Sequence, residues 1–174
     1  MDRSGFSTPV QQIRVRALTQ AAFEPFGEVL QHAGDQRRRY LALPFAHDPP
    51  AHESRLWISR VTQADSVPLS VRTLERHPWS AQTFIPLTPT PYLVVVAPTG
   101  ADGLPDLDRI QAFEACADQG VCYRPRVWHH GLSVLTAPAQ FVVTMTVSGS
   151  GGDDEFWTVP RAIEVIRASS DQSE

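Results

Sequence analysis

The sequence predicts a mainly β protein, folded as a sandwich or barrel of short strands. Two observations carry this prediction. Fifteen prolines and ten glycines are scattered along the 174 residues, and the segments between them are short and rich in β-branched and aromatic residues. Turn signals at such close spacing are typical of all-β domains.

Ten segments have the length and composition of strands, and a short helix is expected near the start of the chain. The candidate strands are residues 13–16, 55–61, 69–74, 82–86, 92–97, 121–124, 127–129, 140–147, 156–159 and 163–166. Thr19 is a suitable N-cap for the following QAAFE segment, and Pro25 ends that helix after a turn or two.

A second helix is expected from Asp106 to about Gly120, because Leu107, Ile110 and Phe113 fall on one helical stripe. Both helices are expected to be packing elements of one domain. With 42% hydrophobic residues, a chain of this length buries a core without disulfide or metal staples. We therefore expect a single domain over 1–174, with an ordered core at about 13–167 and a flexible tail at 168–174.

The composition argues against nucleic-acid and membrane partners. The formal net charge is −4 and all 15 basic residues are arginines, so there is no basic surface for nucleic acid and no lysine for a Schiff base or a phosphate loop. Cys116 and Cys122 lack Cys-x-x-Cys spacing and are interpreted as reduced thiols. No apolar run is long enough to cross a bilayer, and the N-terminus lacks the apolar core of a signal peptide. The expected location is the cytoplasm.

Polar residues concentrate in the segment LERHPWSAQTFIPL, residues 74–87. Glu75 and His77 project to the same side of a strand, and the bend at His-Pro is followed by Gln82 and Phe84 on a shared face. If both pieces face inward, a carboxylate, an imidazole and an amide converge. Spacing alone leaves a second interpretation equally open, in which Glu75 lies on a solvated edge and His77 caps the turn.

A second cluster is GVCYRPRVWHHGL, residues 120–132. Strand alternation places Trp128 and His130 on one face and His129 on the other, so only one of the two histidines points inward. Neutral imidazole is both a common metal ligand and the usual general base near neutral pH. Arg124 and Arg126 share a face. Inside a barrel they would clamp a carboxylate, but without a known fold the external, solubilising interpretation is the better one.

The other candidates are weaker. The turn GSGGDDEF, residues 149–156, lacks the alternating carboxylates of a calcium loop, and solvated acids on a glycine-rich turn are expected there. His32, His47 and His52 lie in proline- and charge-rich loops without a partner at ligand spacing. The sequence contains no Gly-x-Ser-x-Gly elbow, Walker loop or dinucleotide fingerprint.

Five segments, in their order and spacing, resemble the ureidoglycolate lyase family, also called ureidoglycolate hydrolase. They are residues 17–30, 74–87, 91–100, 105–132 and 141–147, and together they span most of the chain. The most specific pieces are Leu-Glu-Arg-His-Pro followed by Gln-x-Phe-Ile-Pro, and the later Val-Trp-His-His.

The resemblance implies a cupin-like β-barrel, also described as a double-stranded β-helix or jelly roll, with one or two short helices. It also implies a cytoplasmic homodimer that splits ureidoglycolate into glyoxylate and urea in allantoin and purine catabolism, a carbon–nitrogen lyase of the amidine-lyase class. Cupins place a first motif, His-x-His and then Glu or Gln, opposite a later His. Glu75, His77, Gln82 and His129 stand at matching positions, and His130 would lie on the other face with Trp128.

The implied reaction needs a base for the substrate hydroxyl and an acid for the departing urea nitrogen. His77 or His129 would be the base, and Glu75 would be its orienter or the acid. Gln82 would align the substrate through hydrogen bonds. Alternatively, Glu75, His77, Gln82 and His129 bind a divalent metal ion, nickel by resemblance, that lowers the pKa of the hydroxyl. No nucleotide or organic cofactor is implied.

The remaining predicted site residues would bind the substrate. Arg126 or Arg124 would hold its carboxylate, and Phe84 and Tyr123 are the further substrate-binding candidates. The expected partner is thus ureidoglycolate or a similar small acid.

Two departures from the family pattern bear on the substrate. Members carry an Asn-x-Gly-like element before the first Arg-Tyr, where this chain has AGDQRRRY at residues 33–40. They also carry an Asp-Arg pair at the end of the FVVTMTV strand, where this chain has Thr146, Val147 and Ser148. Three alternatives therefore stay open: a lyase for a related ureido or hydroxy acid, a cupin that binds a small carboxylate without turnover, and a metal-dependent cupin oxidoreductase.

Overall fold

Twelve strands and one short helix make up the part of the chain that the computed structural model describes, residues 10–167. The tail at 168–174, for which flexibility is expected, lies outside the described residues. The elements are β1 (Gln11–Ala17), α1 (Gln20–Phe23), β2 (Gly27–Leu30), β3 (Glu53–Val61), β4 (Leu69–Arg76), β5 (Gln82–Pro86), β6 (Tyr92–Ala97), β7 (Gln111–Ala115), β8 (Gly120–Tyr123), β9 (Trp128–His129), β10 (Ser133–Val134), β11 (Ala139–Val147) and β12 (Glu155–Ile166). No helix of this part is long and apolar enough to cross a membrane.

The strands form two sheets, and the prediction of a mainly β fold is confirmed. The seven-stranded sheet has the order β10-β6-β7-β1-β12-β4-β9, and because β9 also pairs with β6, six of these strands close into a barrel. The five-stranded sheet has the order β2-β8-β5-β11-β3. A closed barrel with little helix agrees with the cupin-like barrel that the resemblance implies.

Two apolar cores fill the molecule. The barrel core takes residues from all six barrel strands, among them Leu74, Val95 and Trp128. The intersheet core lies between the barrel and the five-stranded sheet and includes Phe84 and Val94. Strand β6 is buried along its whole length because its alternate side chains enter different cores.

The prediction of a helix from Asp106 to Gly120 is wrong. Residues 111–115 instead form β7, which pairs with β1 on one side and β6 on the other. The neighbours Ala112 and Phe113 enter the barrel core and the intersheet core respectively, a two-residue alternation that a helix cannot produce. Sheet pairing on both sides therefore overrides the helical spacing of the apolar residues.

Most predicted strands agree with observed ones, and the first helix is confirmed with Thr19 as its N-cap. Segments 82–86 and 92–97 coincide with β5 and β6, while 156–159 and 163–166 are two parts of β12, which has a register shift between them. The sequence pattern does not predict β2 and β10, which are four and two residues long. At Gly27, in β2, a side chain would collide with the carbonyl oxygen of Cys122, so the position requires glycine.

Candidate active site

Glu75, His77 and His129 lie together where β4 meets β9. Glu75 and His129 are register partners across these antiparallel strands, and His77 is the residue after the end of β4. One oxygen or nitrogen atom of each side chain lies within 4.8 Å of the others. The two imidazoles are buried, at 4% and 1% exposure, whereas the Glu75 side chain is 23% exposed. The structure thus brings together three of the four residues predicted to form the site, and the fourth, Gln82, reaches His129 from the other sheet.

The barrel wall determines which of the two adjacent histidines enters the cluster. Trp128 packs in the barrel core, so His129 points to the opposite side, where its ring stacks on Tyr123 with centroids 4.1 Å apart and an interplanar angle of 10°. His130 stays outside the cluster. Its Nδ1 lies 3.0 Å from the Gly131 carbonyl oxygen and 3.2 Å from Ser133 Oγ.

Gln82 joins the cluster from the five-stranded sheet. It is the first residue of β5, where it is the register partner of Tyr123 on β8 and of Met145 on β11. Its amide nitrogen faces Met145 Sδ at 3.9 Å, and its Oε1 lies 3.2 Å from His129 Nε2. The cluster therefore spans the space between the barrel and the five-stranded sheet.

His129 faces an acceptor at Nδ1, which favours the tautomer with the proton on that nitrogen. That nitrogen lies 3.0 Å from the carbonyl oxygen of Val127, which can only accept a hydrogen bond. Burial lowers the pKa of His129, so the ring is neutral near pH 7. In that tautomer Nε2 presents a lone pair, but Nε2 also faces two acceptors, the Oε1 atoms of Gln82 and Glu75 at 3.2 and 3.5 Å.

His77 has the opposite electrostatic environment. Its Nδ1 lies 2.8 Å from Oδ1 of Asp154 and 3.2 Å from the carbonyl oxygen of Asp153. Burial opposes the charged ring, but the hydrogen bond to Asp154 and the charges of Asp154 and Glu75 outweigh burial and raise the pKa of His77. Its Nε2 is buried and has no hydrogen-bond partner among residues 10–167.

The centre of the cluster is rich in hydrogen-bond acceptors and therefore favours positive charge. Burial opposes ionisation of Glu75, but the adjacent His129 and His77 lower its pKa, so it is a carboxylate near neutral pH. Buried lone pairs without donors are unfavourable. A proton on His77 or a bound cation would satisfy them, and two imidazoles with one carboxylate suit a divalent ion. Glu75, His77 and His129 are thus a group that can hold a metal ion.

The arginines predicted to bind a carboxylate lie at the surface. Arg124 donates to the carboxylate of Glu24 at 3.1 Å and to its backbone oxygen at 3.2 Å, and Arg126 donates to Asp48 at 3.1 Å. The structure brings neither guanidinium group into hydrogen-bond contact with the cluster. Arg126 nevertheless adjoins it through the backbone, because its N–H donates to the His77 carbonyl oxygen at 2.9 Å.

Phe84 and Tyr123 belong to the intersheet core, with ring centroids 6.0 Å apart. Tyr123 contacts the cluster by stacking on His129, so it orients an imidazole. Phe84 is a buried core residue with 9% exposure. The substrate-binding role of both residues stays a prediction.

Sequence reasoning missed Asp154. The glycine-rich turn that contains it was expected to carry solvated acids, yet its carboxylate contacts His77 directly. A pair of adjacent aspartates on a glycine turn gives no local signal of a partner so distant along the chain. The Asp154 side chain is 51% exposed, in agreement with the predicted solvated turn, but the prediction did not include its contact with His77.

Comparison with known proteins gives a consistent result over nearly the whole described chain. A family model described as ureidoglycolate lyase matches residues 10–165. A ureidoglycolate lyase of Pseudomonas aeruginosa is 35% identical over 158 residues, covering 86% of this chain and 92% of that protein. Ureidoglycolate lyases of Azotobacter vinelandii (34% identical over 154 residues, covering 83% and 92%) and Pseudomonas putida (33% over 159 residues, covering 86% and 93%) are also similar.

Proposed function

Because the chain belongs to the ureidoglycolate lyase family, we propose that it cleaves ureidoglycolate to glyoxylate and urea by carbon–nitrogen elimination. The observation that carries this proposal is a pair of buried imidazoles, 5.2 Å apart between ring centroids, whose pKa values move in opposite directions. The pKa of His77 is raised and that of His129 is lowered. Environments that separate two pKa values in this way supply an acid and a base within one site.

Ureidoglycolate carries a hydroxyl group and a ureido nitrogen on the same carbon. Elimination removes the hydroxyl proton, forms the C=O bond and breaks the C–N bond while the departing nitrogen gains a proton. In this proposal the Nε2 lone pair of His129 takes the hydroxyl proton, and protonated His77 donates to the nitrogen. Glu75, 3.5 Å from His129 Nε2, stabilises the imidazolium that forms, and Gln82 aligns the substrate through its amide.

The same residues fit a divalent metal ion, nickel among the candidates. Glu75, His77 and His129 would hold it, with the Gln82 amide oxygen as a further donor. The buried Nε2 of His77, which has no hydrogen-bond partner among the described residues, supports this fit. Bound there, the ion would act as a Lewis acid that lowers the pKa of the substrate hydroxyl.

We also propose that Arg126 binds the substrate carboxylate. Its pair with Asp48 is exposed on both sides, at 55% and 54%, and such pairs contribute only about 0–1 kcal/mol, so exchanging Asp48 for a substrate carboxylate costs little. Arg124 is held by both the carboxylate and the backbone oxygen of Glu24. Arg126→Gln should therefore raise KM more than Arg124→Gln does, and the reverse order would contradict this role.

The test of the reaction is the release of glyoxylate and urea from ureidoglycolate by the purified full-length protein, with and without a chelator. His77→Ala and His129→Ala should each lower kcat by about 10²- to 10⁴-fold. His130→Ala is the matched control, because that imidazole lies next to the cluster but outside it, and it should retain turnover. Release no faster than the spontaneous rate, with divalent ions supplied, would contradict the proposal. Ligand-dependent stabilisation without turnover would then support a binding protein.

We further propose that the protein forms a homodimer through β3. This strand is an edge of the five-stranded sheet and pairs with β11 on its other side. Leu56 and Ile58 on one face are 69% and 60% exposed, and Trp57 on the opposite face is 38% exposed. A long edge strand with exposed apolar side chains favours pairing with another strand, and a second copy of β3 would cover the backbone edge and bring the exposed apolar side chains of the two copies together.

A further inference from the structure

His77 is held in place through both its backbone and its side chain. Its carbonyl oxygen accepts the N–H of Arg126 at 2.9 Å. Its ring nitrogen Nδ1 lies 2.8 Å from Oδ1 of Asp154, a short contact of the kind that charge-assisted hydrogen bonds make. The second acceptor for Nδ1 is the carbonyl oxygen of Asp153 at 3.2 Å. Both contacts come from the connection between β11 and β12.

That connection is internally braced, so Asp154 is held in place. The two carboxylate oxygens of Asp153 accept from the backbone N–H and the hydroxyl of Ser148, at 2.7 and 2.9 Å, and the Ser148 hydroxyl also lies 3.1 Å from the Gly151 carbonyl oxygen. Gly151 and Gly152 adopt φ values of 90° and 79°, which glycine adopts without strain. Asp153 therefore closes the turn, and Asp154 is the acid directed at His77.

Both atoms that face His77 Nδ1 are acceptors, so the proton of the neutral ring must be on Nδ1. We propose that Asp154 is a positioning residue: its carboxylate holds the His77 ring with the proton on Nδ1 and thereby assigns Nε2, the buried nitrogen without a partner among the described residues, to the chemistry of the cluster. The carboxylate acts on the substrate only through His77. It has the same position relative to the reactive nitrogen as the outer carboxylates that orient ligand histidines and increase their basicity.

The direct test is the tautomer of His77 in ¹⁵N-labelled full-length protein, from long-range ¹H–¹⁵N correlations recorded where the ring is neutral. The signals of His77 are assigned by their loss in His77→Gln. We expect the proton on Nδ1 in the wild type, and a mixture of tautomers in Asp154→Ala, which leaves only the longer contact to the Asp153 carbonyl. A wild-type ring with its proton on Nε2 would overturn the proposal, and this measurement needs no variant at Asp154 to fold.

The kinetic test compares Asp154→Asn, which keeps the shape but removes the charge, with Asp108→Asn, at an acid whose side chain is 86% exposed and paired with Arg161. Loss of an outer orienting carboxylate typically costs about 10- to 100-fold in activity. We expect that loss in kcat for Asp154→Asn, with KM within about twofold and with Asp108→Asn unchanged. Equal kcat values for wild type and Asp154→Asn would overturn the proposal.

The kinetic expectation rests on the proposed lyase reaction, whereas the tautomer does not. If the wild type fails to cleave ureidoglycolate but His77 has its proton on Nδ1, the proposed function fails and the positioning role stands. If turnover is normal and the proton is on Nε2, the reaction stands and the positioning role fails.

Discussion

Substitution of Glu75 by Gln keeps the size of the side chain and removes the charge next to His129. In the proposed reaction His129 becomes an imidazolium 3.5 Å from Oε1 of Glu75. Coulomb attraction over that distance is about 5 kcal/mol at an effective dielectric constant of ~20 and about 1 kcal/mol in water. Because the Glu75 side chain is 23% exposed, we expect an intermediate loss, about 1.4–2.8 kcal/mol, which corresponds to a roughly 10- to 100-fold lower kcat.

Steady-state kinetics with ureidoglycolate measures this effect. KM should change little, because the charge on His129 develops only along the reaction. Glu53→Gln is the matched control, since Glu53 forms an exposed surface pair with Arg55 at 2.9 Å and should leave both constants unchanged. A kcat for Glu75→Gln within twofold of the wild type would refute the role of the carboxylate in stabilising the imidazolium.

Three further predictions concern stability and assembly. Tyr123→Ala removes a buried ring stacked on His129 and should cost about 3–5 kcal/mol of unfolding free energy in urea, whereas Tyr123→Phe keeps the ring and should cost far less; equal losses would contradict the packing role. The pKa of His77 is raised above its usual 6.5 and that of Asp154 is lowered below 3.8, so their pairing stabilises the fold between these values and the stabilisation is lost as pH rises through the raised pKa of His77. The difference in unfolding free energy between wild type and Asp154→Asn should therefore be larger at about pH 5 than at about pH 9. The opposite trend would show that the pair does not form. Leu56→Arg should convert a dimer to a monomer in light scattering while Leu104→Arg, at another exposed leucine, does not; a monomeric wild type would refute the β3 interface.

The sequence predicted most of the strands because burial leaves a direct pattern in them. The run YLVVVA of β6 is apolar throughout since both of its faces are buried, and β11 alternates over most of its length since only one face is fully covered. The helix prediction for residues 107–120 was wrong for the converse reason. Their apolar residues have helical spacing, but their conformation is decided by pairing with other strands of the sheet. The sequence of the segment alone does not show that pairing.

The candidate site was predictable where two local segments each carried unusual polar residues. Glu75, His77, Gln82 and His129 do lie together, and their catalytic roles remain proposals. Asp154 was not predictable, because its partner is 77 positions away and only the path of the β11–β12 connection brings them together. The positions of Arg124 and Arg126 were equally unpredictable from the sequence, since only the fold shows that Glu24 and Asp48 pair with them at the surface.

The two-residue strand β9 links the proposed active site to the integrity of the barrel. His129 pairs with Glu75 of β4 on one side and with Val96 of β6 on the other, so the backbone contact that completes the ring of strands also delivers an imidazole to the cluster. Local opening of β9 would therefore separate the proposed base from its partner carboxylate without unfolding the rest of the chain. A bound ligand that contacts His129 should in turn slow amide hydrogen exchange along β4 and β6, because it stabilises the closed form.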